Sequence, residues 1–234
     1  MQAPQPPDIL EHGAREQTSD RRLYMQLLVY TGCRQTLPIT DALLESDADA
    51  VLYESLHDPR GIAVLAMHED PAFFLTEWRT TLQGSAFDSL KLKPSCTMFG
   101  RTYALGYETD LNETLLERPR NTALNPDWPW AIWYPIRRSG RFEQLEPAQQ
   151  RDILMEHGRI GMGYARADYA HDIRLACYGL DTHDSDFVVA LTGKHLHPLS
   201  AIVQEMRKTT QTSLYLERLG PFYVGRAIWK SPRG

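Results

Sequence analysis

One order of local patterns occurs twice in this chain, and that duplication restricts its folds more than any other feature. The first half opens with a strand-like run, YMQLLVYT (24–31), followed by a short helical stretch, ITDALLES (39–46). Two more strand-like runs, AVLYESLH (50–57) and GIAVLAMH (61–68), are split by the turn residues Asp58, Pro59, Arg60 and Gly61. The segment 71–87 carries Phe73, Phe74, Trp78 and Leu82 at helical spacing, and 96–108 reads as a strand. The second half repeats the order: a strand at 130–136, a helix at 147–165, strands at 172–180 and 186–193 around the turn 181–185, a helix at 197–219 and a strand at 220–229. Each half is therefore β-α-β-β-α-β, a ferredoxin-like unit. The expected fold class is α+β, two fused ferredoxin-like units whose sheets align into a barrel wrapped by helices. The expected boundaries are a loose arm at 1–19, an N-terminal unit at 20–110, a Pro- and Asn-rich linker at 111–128 and a C-terminal unit at 129–234.

Composition narrows the function classes. The 234 residues carry 25 basic and 30 acidic side chains, a net charge of −5, which argues against nucleic acid as the main partner. Apolar residues at 42% and charged residues at 24% exclude fibrous and disordered chains. The three cysteines, Cys33, Cys96 and Cys177, form no CxxC, so neither a disulfide framework nor a zinc knuckle is supported. A reducing, cytoplasmic setting is expected. The opening residues lack the basic start and apolar run of a leader, and no apolar stretch approaches the ~18–20 residues of a membrane span.

Several residues are candidates for chemistry. His157 sits within a helix at EHGRIG, beside Gly158 and Gly161, each costing roughly 0.8–1 kcal/mol in a helix. This reads either as a helix approached by something flat, such as a haem plane with imidazole as axial ligand, or as a loosely packed surface helix. Tyr134 lies in WYPIRRSGR with Arg137 and Arg138 following and Arg120 upstream. A tyrosine among arginines binds carboxylates through charge-assisted hydrogen bonds, or is a core tyrosine with solvated arginines around it. In HDIR, Asp172 and Arg174 share one face of a strand and His171 and Ile173 the other. His195 and His197 lack an adjacent third ligand for a metal.

YPIRR (134–138), MEHGRIGMGY (155–164), GLD with DFVVAL (179–191), MRKT (206–209) and GPFYVGR (220–226) together resemble the chlorite dismutase and coproheme decarboxylase superfamily of haem proteins. The resemblance spans about 120–230, with the weaker GRTYALGY (100–107) in the first half. It implies a homo-oligomer, a pentamer for this chain length, with haem b or Fe-coproporphyrin III bound in the C-terminal unit and His157 on the iron. It also implies cofactor contacts from Arg120, Tyr134, Arg137, Arg138 and Gly161. Chlorite dismutases carry a distal Arg where this chain has Asp172, two residues from Arg174, and a carboxylate behind the proximal His, which the stretch 207–214 lacks. There Gln211 or Thr212 offers only a neutral hydrogen bond. Tyr134 matches the reactive tyrosine of the decarboxylases, with Arg138 at their usual Lys. The implied activity is peroxide-dependent decarboxylation of coproheme to haem b. Tyr134, Arg138, Asp172 and Arg174 would form the catalytic set, with Asp172 a base for peroxide or a partner of Arg174. The alternatives are chlorite dismutation, another haem peroxidase activity, or haem binding and transfer without turnover.

Overall fold

The computed structural model describes residues 6–46 and 48–232. In the first half β1 (Tyr24–Thr31), α1 (Leu37–Glu45), β2 (Asp49–Ser55), β3 (Ile62–His68), α2 (Glu77–Leu82) and β4 (Met98–Arg101) follow the β-α-β-β-α-β order. A helix α3 (Arg118–Leu124) leads into the second half. There β5 (Trp130–Arg138), α4 (Pro147–Arg166), β6 (His171–Ala176), β7 (Phe187–Gly193), α5 (Leu196–Met206), α6 (Thr210–Tyr215), β8 (Leu216–Leu219) and β9 (Tyr223–Lys230) complete it.

Within each half the strands lie in the same spatial order, β4-β1-β3-β2 and β9-β5-β7-β6, all antiparallel. The two sheets join edge to edge into a closed eight-stranded barrel, and closure removes the exposed edges. The joints differ in extent. Between β2 and β9 the register runs from Ser55↔Gly225 to Val51↔Lys230, whereas β4 meets β6 only at Arg101↔Ala176. Gly100 permits that second approach: a Cβ there would stand 2.8 Å from that of Leu175.

Alternation along each strand divides the apolar residues into three clusters. Met25, Leu27, Tyr53, Leu65, Trp133 and Tyr223 share the cluster that fills the barrel. On the outside of the first sheet, Leu28, Leu52 and Val64 pack with Ile39, Leu43 and Trp78 of α1 and α2. On the outside of the second, Ile132, Tyr134, Phe187 and Leu191 pack with Leu199 and Ile202 of α5. Each fully buried side chain of this kind contributes roughly 1.5–3 kcal/mol. No helix among the described residues is long and apolar enough to cross a membrane.

Several segments differ from the sequence expectation. The helix expected over 71–87 is a 3-10 turn, Pro71–Leu75, broken at Thr76 before α2 begins. The strand expected to Glu108 stops at Arg101, because the Glu108 carboxylate takes the N–H groups of Leu105, Gly106 and Tyr107 into a loop. The segment 111–128 is no open linker. A π-helical turn, Glu113–Glu117, and α3 set Leu115, Leu116, Ala123 and Leu124 into the barrel cluster. The helix expected over 197–219 divides into α5, α6 and β8, the last pairing with β5. The arm expected over 1–19 is docked from Ile9 onward, where the carbonyl of Ile9 accepts from Arg22 at 3.3 Å, and its first five residues lie outside the described ones. A short hairpin, Glu11–His12 with Thr18–Ser19, is held by the Glu11 carboxylate, which accepts from Arg101 at 2.8 Å and from the Ala104 N–H at 2.9 Å.

The β2–β3 turn supplies a pH-dependent contact. Asp58 accepts from Lys93 Nζ at 2.5 Å and from the Arg60 N–H at 3.0 Å. These bonds, the Lys93 one first, hold its carboxyl down at about 2 from the usual 3.8. The stabilisation is full above the unfolded value and is lost as pH falls from about 4 toward 2, where the unfolded chain binds the proton first. Denaturant midpoints measured from pH 5 to 2 are expected to fall less steeply for Asp58→Asn than for the parent.

Candidate functional site

The helix α4 is the longest in the chain, yet none of its 20 residues is buried. Among its half-buried positions, Ile153, His157, Ile160 and Tyr164 recur at helical spacing, and Ile160 and Tyr164 pack against the cluster on the second sheet. His157 is held from one side. Its Nδ1 lies 3.2 Å from Thr209 Oγ1, and that hydroxyl donates to the Met206 carbonyl at 2.8 Å. The threonine has one proton and uses it on Met206, so it accepts from His157. Nδ1 is therefore protonated and Nε2 keeps its lone pair. Burial, the largest influence, pushes the imidazole below its usual value of 6.5, and Arg138 and Arg174 act in the same direction. The result is a neutral imidazole in the tautomer a metal ligand requires.

Thr209 thus takes the place expected of Gln211 or Thr212. Gln211 is buried with its Oε1 unpartnered. A carboxylate does come close from a different element. Glu156, next to His157, accepts from the Thr210 N–H at 3.0 Å and anchors the start of α6.

The opposing sheet face presents Tyr134, Arg138, Asp172 and Arg174. Strand registers place Tyr134 opposite Val189 and Val189 opposite Arg174, so the tyrosine and arginine occupy one row across β5, β7 and β6. Tyr134 is buried, 4.8 Å between ring centroids from Phe222, and its hydroxyl has no hydrogen-bond partner among the described residues. Burial, with a smaller push from Asp172, raises its phenol well above 10, so the O–H is retained. Asp172 and Arg174 form an ion pair through Nε at 2.9 Å. The Asp172 charge disfavours ionisation of Tyr134 and favours the charged form of His157, in each case as a minor influence. His171 turns elsewhere, stacking on Trp128 at 3.5 Å and bonding Asp168 at 2.8 Å.

Arg138 lies on the same face, at the end of β5. Its guanidinium sits over the rings of Phe142 at 4.4 Å and Phe187 at 4.9 Å. Its Nε is buried without an acceptor, and Glu143 stands 3.7 Å away. A cation fixed between two rings with an unused N–H is prepared for an anionic group.

Three expected contacts are not part of this arrangement. Arg120 donates to Asp49 of β2 at 2.7 Å. Two residues along a helix rotate a side chain by about 200°, so on α3 it is Arg118 that faces Asp172 and Arg174. Arg137, on the opposite face of β5 from Arg138, bonds the Asp184 carbonyl at 2.7 Å, contacts the Asp184 carboxylate and lies 3.4 Å from Glu217. At Gly161 a Cβ would meet Met206 at 3.6 Å, so this glycine faces α5. Among the described residues no group of three or more His, Cys, Asp or Glu could hold a metal, so His195 and His197 form no such site. Sequence reading missed Thr209, Arg118 and Tyr103. All three lay within segments already singled out, 100–107, 111–128 and 206–209, and only the folded chain brings them beside His157, Asp172 and Arg174.

A family model described as chlorite dismutase matches residues 58–228. Among solved structures, a haem-binding protein from Thermus thermophilus superposes with a TM-score of 0.69 at 18% identity, covering 88% of this chain and 91% of the other. A mutant chlorite dismutase from Candidatus Nitrospira defluvii superposes with a TM-score of 0.66 at 15% identity, covering 92% and 93%. At these identities the likeness concerns the fold.

Proposed function

The chain belongs to the chlorite dismutase family, and from that we propose that it binds an iron porphyrin against the second sheet, with His157 as axial ligand, and oxidatively decarboxylates Fe-coproporphyrin III to haem b with peroxide. The residues present fit such a group. A neutral imidazole with a free Nε2, an apolar sheet face at Ile132, Ile136 and Leu191, and a cation at Arg138 with an unused N–H match an iron ligand, a flat hydrophobic macrocycle and a propionate carboxylate in turn. The coproheme iron, with peroxide, supplies the oxidising power when bound.

The observation that carries the decarboxylase reading is Tyr134, a buried phenol with an unengaged hydroxyl on the sheet face it shares with Asp172 and Arg174. Its role is to lose the hydroxyl hydrogen atom and recover one from the β-carbon of a propionate. Arg138 holds that propionate's carboxylate. Each propionate, with one peroxide and one proton, gives a vinyl group, CO2 and two waters, and two propionates react in turn. Thr209 keeps Nδ1 of His157 occupied. Its neutral hydroxyl makes the imidazole a less basic ligand than a carboxylate partner would.

Mass spectrometry of porphyrins after stepwise peroxide addition tests this reading. Loss of two carboxyl groups through a three-propionate intermediate is expected. Bleaching of intact coproheme without vinyl products would reject it and leave haem b as a bound group. A dismutase reading draws on Arg174 in the row with Tyr134. Its pairing with Asp172 cancels the local positive charge an anionic oxidant needs, and the expected result at an oxygen electrode is no O2 from chlorite above free haem.

A further inference from the structure

The chain between β5 and α4 makes one helical turn, Gly140–Glu143, whose last two side chains meet Arg138 in different ways. Phe142 is buried and anchored. Its ring lies 4.4 Å from the Arg138 guanidinium and packs edge-on to Tyr215 at 5.8 Å, and its carbonyl accepts from Gln150 Nε2 at 3.2 Å. Together with Phe187 at 4.9 Å, it fixes the cation without an anion's help. Glu143 has no such anchor. Its side chain is 60% exposed, and the one polar partner of its carboxylate among the described residues is Arg138, with Oε1 3.7 Å from Nη1. At that distance the charges attract without a hydrogen bond. Asp186, the other carboxylate at Arg138, is committed to the Arg138 backbone N–H at 2.6 Å. Arg138 therefore has a single, loosely held counter-charge, while its buried Nε stays unused.

On the reading that Arg138 is the propionate's partner, we propose that Glu143 is a resident carboxylate, set aside when a porphyrin carboxylate takes the cation and returned when that carboxylate is lost. One guanidinium charge balances one carboxylate, and two placed on it repel each other. The exposed one yields, because a solvated ion pair is worth little and water replaces it. Once the propionate has become a vinyl group, Arg138 would be a largely buried cation without a partner, which is costly. The return of Glu143 removes that cost and favours departure of the vinyl-bearing edge. The turn thereby loosens the hold on a carboxylate and leaves the hold on a vinyl group unchanged.

Fluorescence titration of metal-free coproporphyrin III with the chain, at low ionic strength, tests this without iron or turnover. A double-mutant cycle carries the result. Arg138→Gln is expected to weaken binding at least about tenfold, the scale of a hydrogen bond to a charged group. Glu143→Gln is expected to tighten it about two- to fivefold, the scale of an exposed ion pair. In the Arg138→Gln background the same change is expected to have no effect. Glu143 is exposed, so unchanged circular dichroism is expected in its variant. Unchanged affinity in Glu143→Gln, where Arg138→Gln does weaken binding, overturns the resident carboxylate and leaves Arg138 as the propionate's partner. Equal tightening in both backgrounds also overturns it, since the effect is then one of surface charge alone. If Arg138→Gln binds like the parent, the reading of Arg138 falls, and the role of Glu143 falls with it.

Discussion

His157→Ala is expected to abolish axial ligation, removing the Soret band of a histidine-bound haem and lowering haem affinity by at least about 100-fold. The scale follows from the arrangement around the ring. Loss of an outer partner of a metal-bound histidine costs about 10–100-fold, and loss of the ligand itself exceeds that. The fold is expected to survive, because α4 buries none of its side chains and is held through neighbours such as the Glu156 bond to Thr210. Thr209→Val separates the two levels. It keeps the ligand but removes the hydroxyl that fixes the Nδ1 proton, and a loss of about tenfold with a shifted Soret band is expected. A titration of each variant with haem, followed by absorbance, measures both. Parent-like spectra in His157→Ala would exclude this histidine as the ligand.

Tyr134→Phe is expected to leave porphyrin affinity within about threefold and to cut vinyl formation by about 10³-fold or more. The substitution conserves volume apart from one oxygen, and the ring keeps its contact with Phe222. The hydroxyl hydrogen, which the proposed chemistry needs, is gone, and removal of an essential reacting group acts on turnover and not on binding. The parent and variant are compared by product mass spectrometry at matched porphyrin occupancy. Equal yields of the three-propionate product would remove Tyr134 from the reaction.

Much of the fold was legible because it rests on local patterns. The strand runs at 24–31 and 130–138 are apolar enough to mark themselves, and the duplication gave both units their order. What escaped the sequence depends on long-range partners. The helix expected over 197–219 ends at Met206 because the residues after α6 find pairing partners on β5. The 111–128 segment looked like a connector because of its two prolines and three asparagines, while its leucines find their use only inside the barrel. The candidate site divides in the same way. Strand alternation set Asp172 with Arg174, since period two is a local property, while Arg138 was singled out from Arg137 only through the resemblance. It could not show that Arg120 would be drawn to Asp49, or that Thr209 would reach His157 across 52 residues of chain.

The unequal joints of the barrel also have a mechanical meaning. A cylinder closed by a long ladder on one side and a single residue pair on the other is a curled sheet with a latch, and it opens at the latch first. The latch is Arg101 against Ala176, on the strand that carries Asp172 and Arg174. Glu11 grips Arg101 from outside, so the N-terminal hairpin acts as a clasp over it. Breathing of the barrel is thereby directed to the strand that carries Asp172 and Arg174, while the long joint stays shut. The arm that sequence composition marks as loose sets how easily that strand can yield.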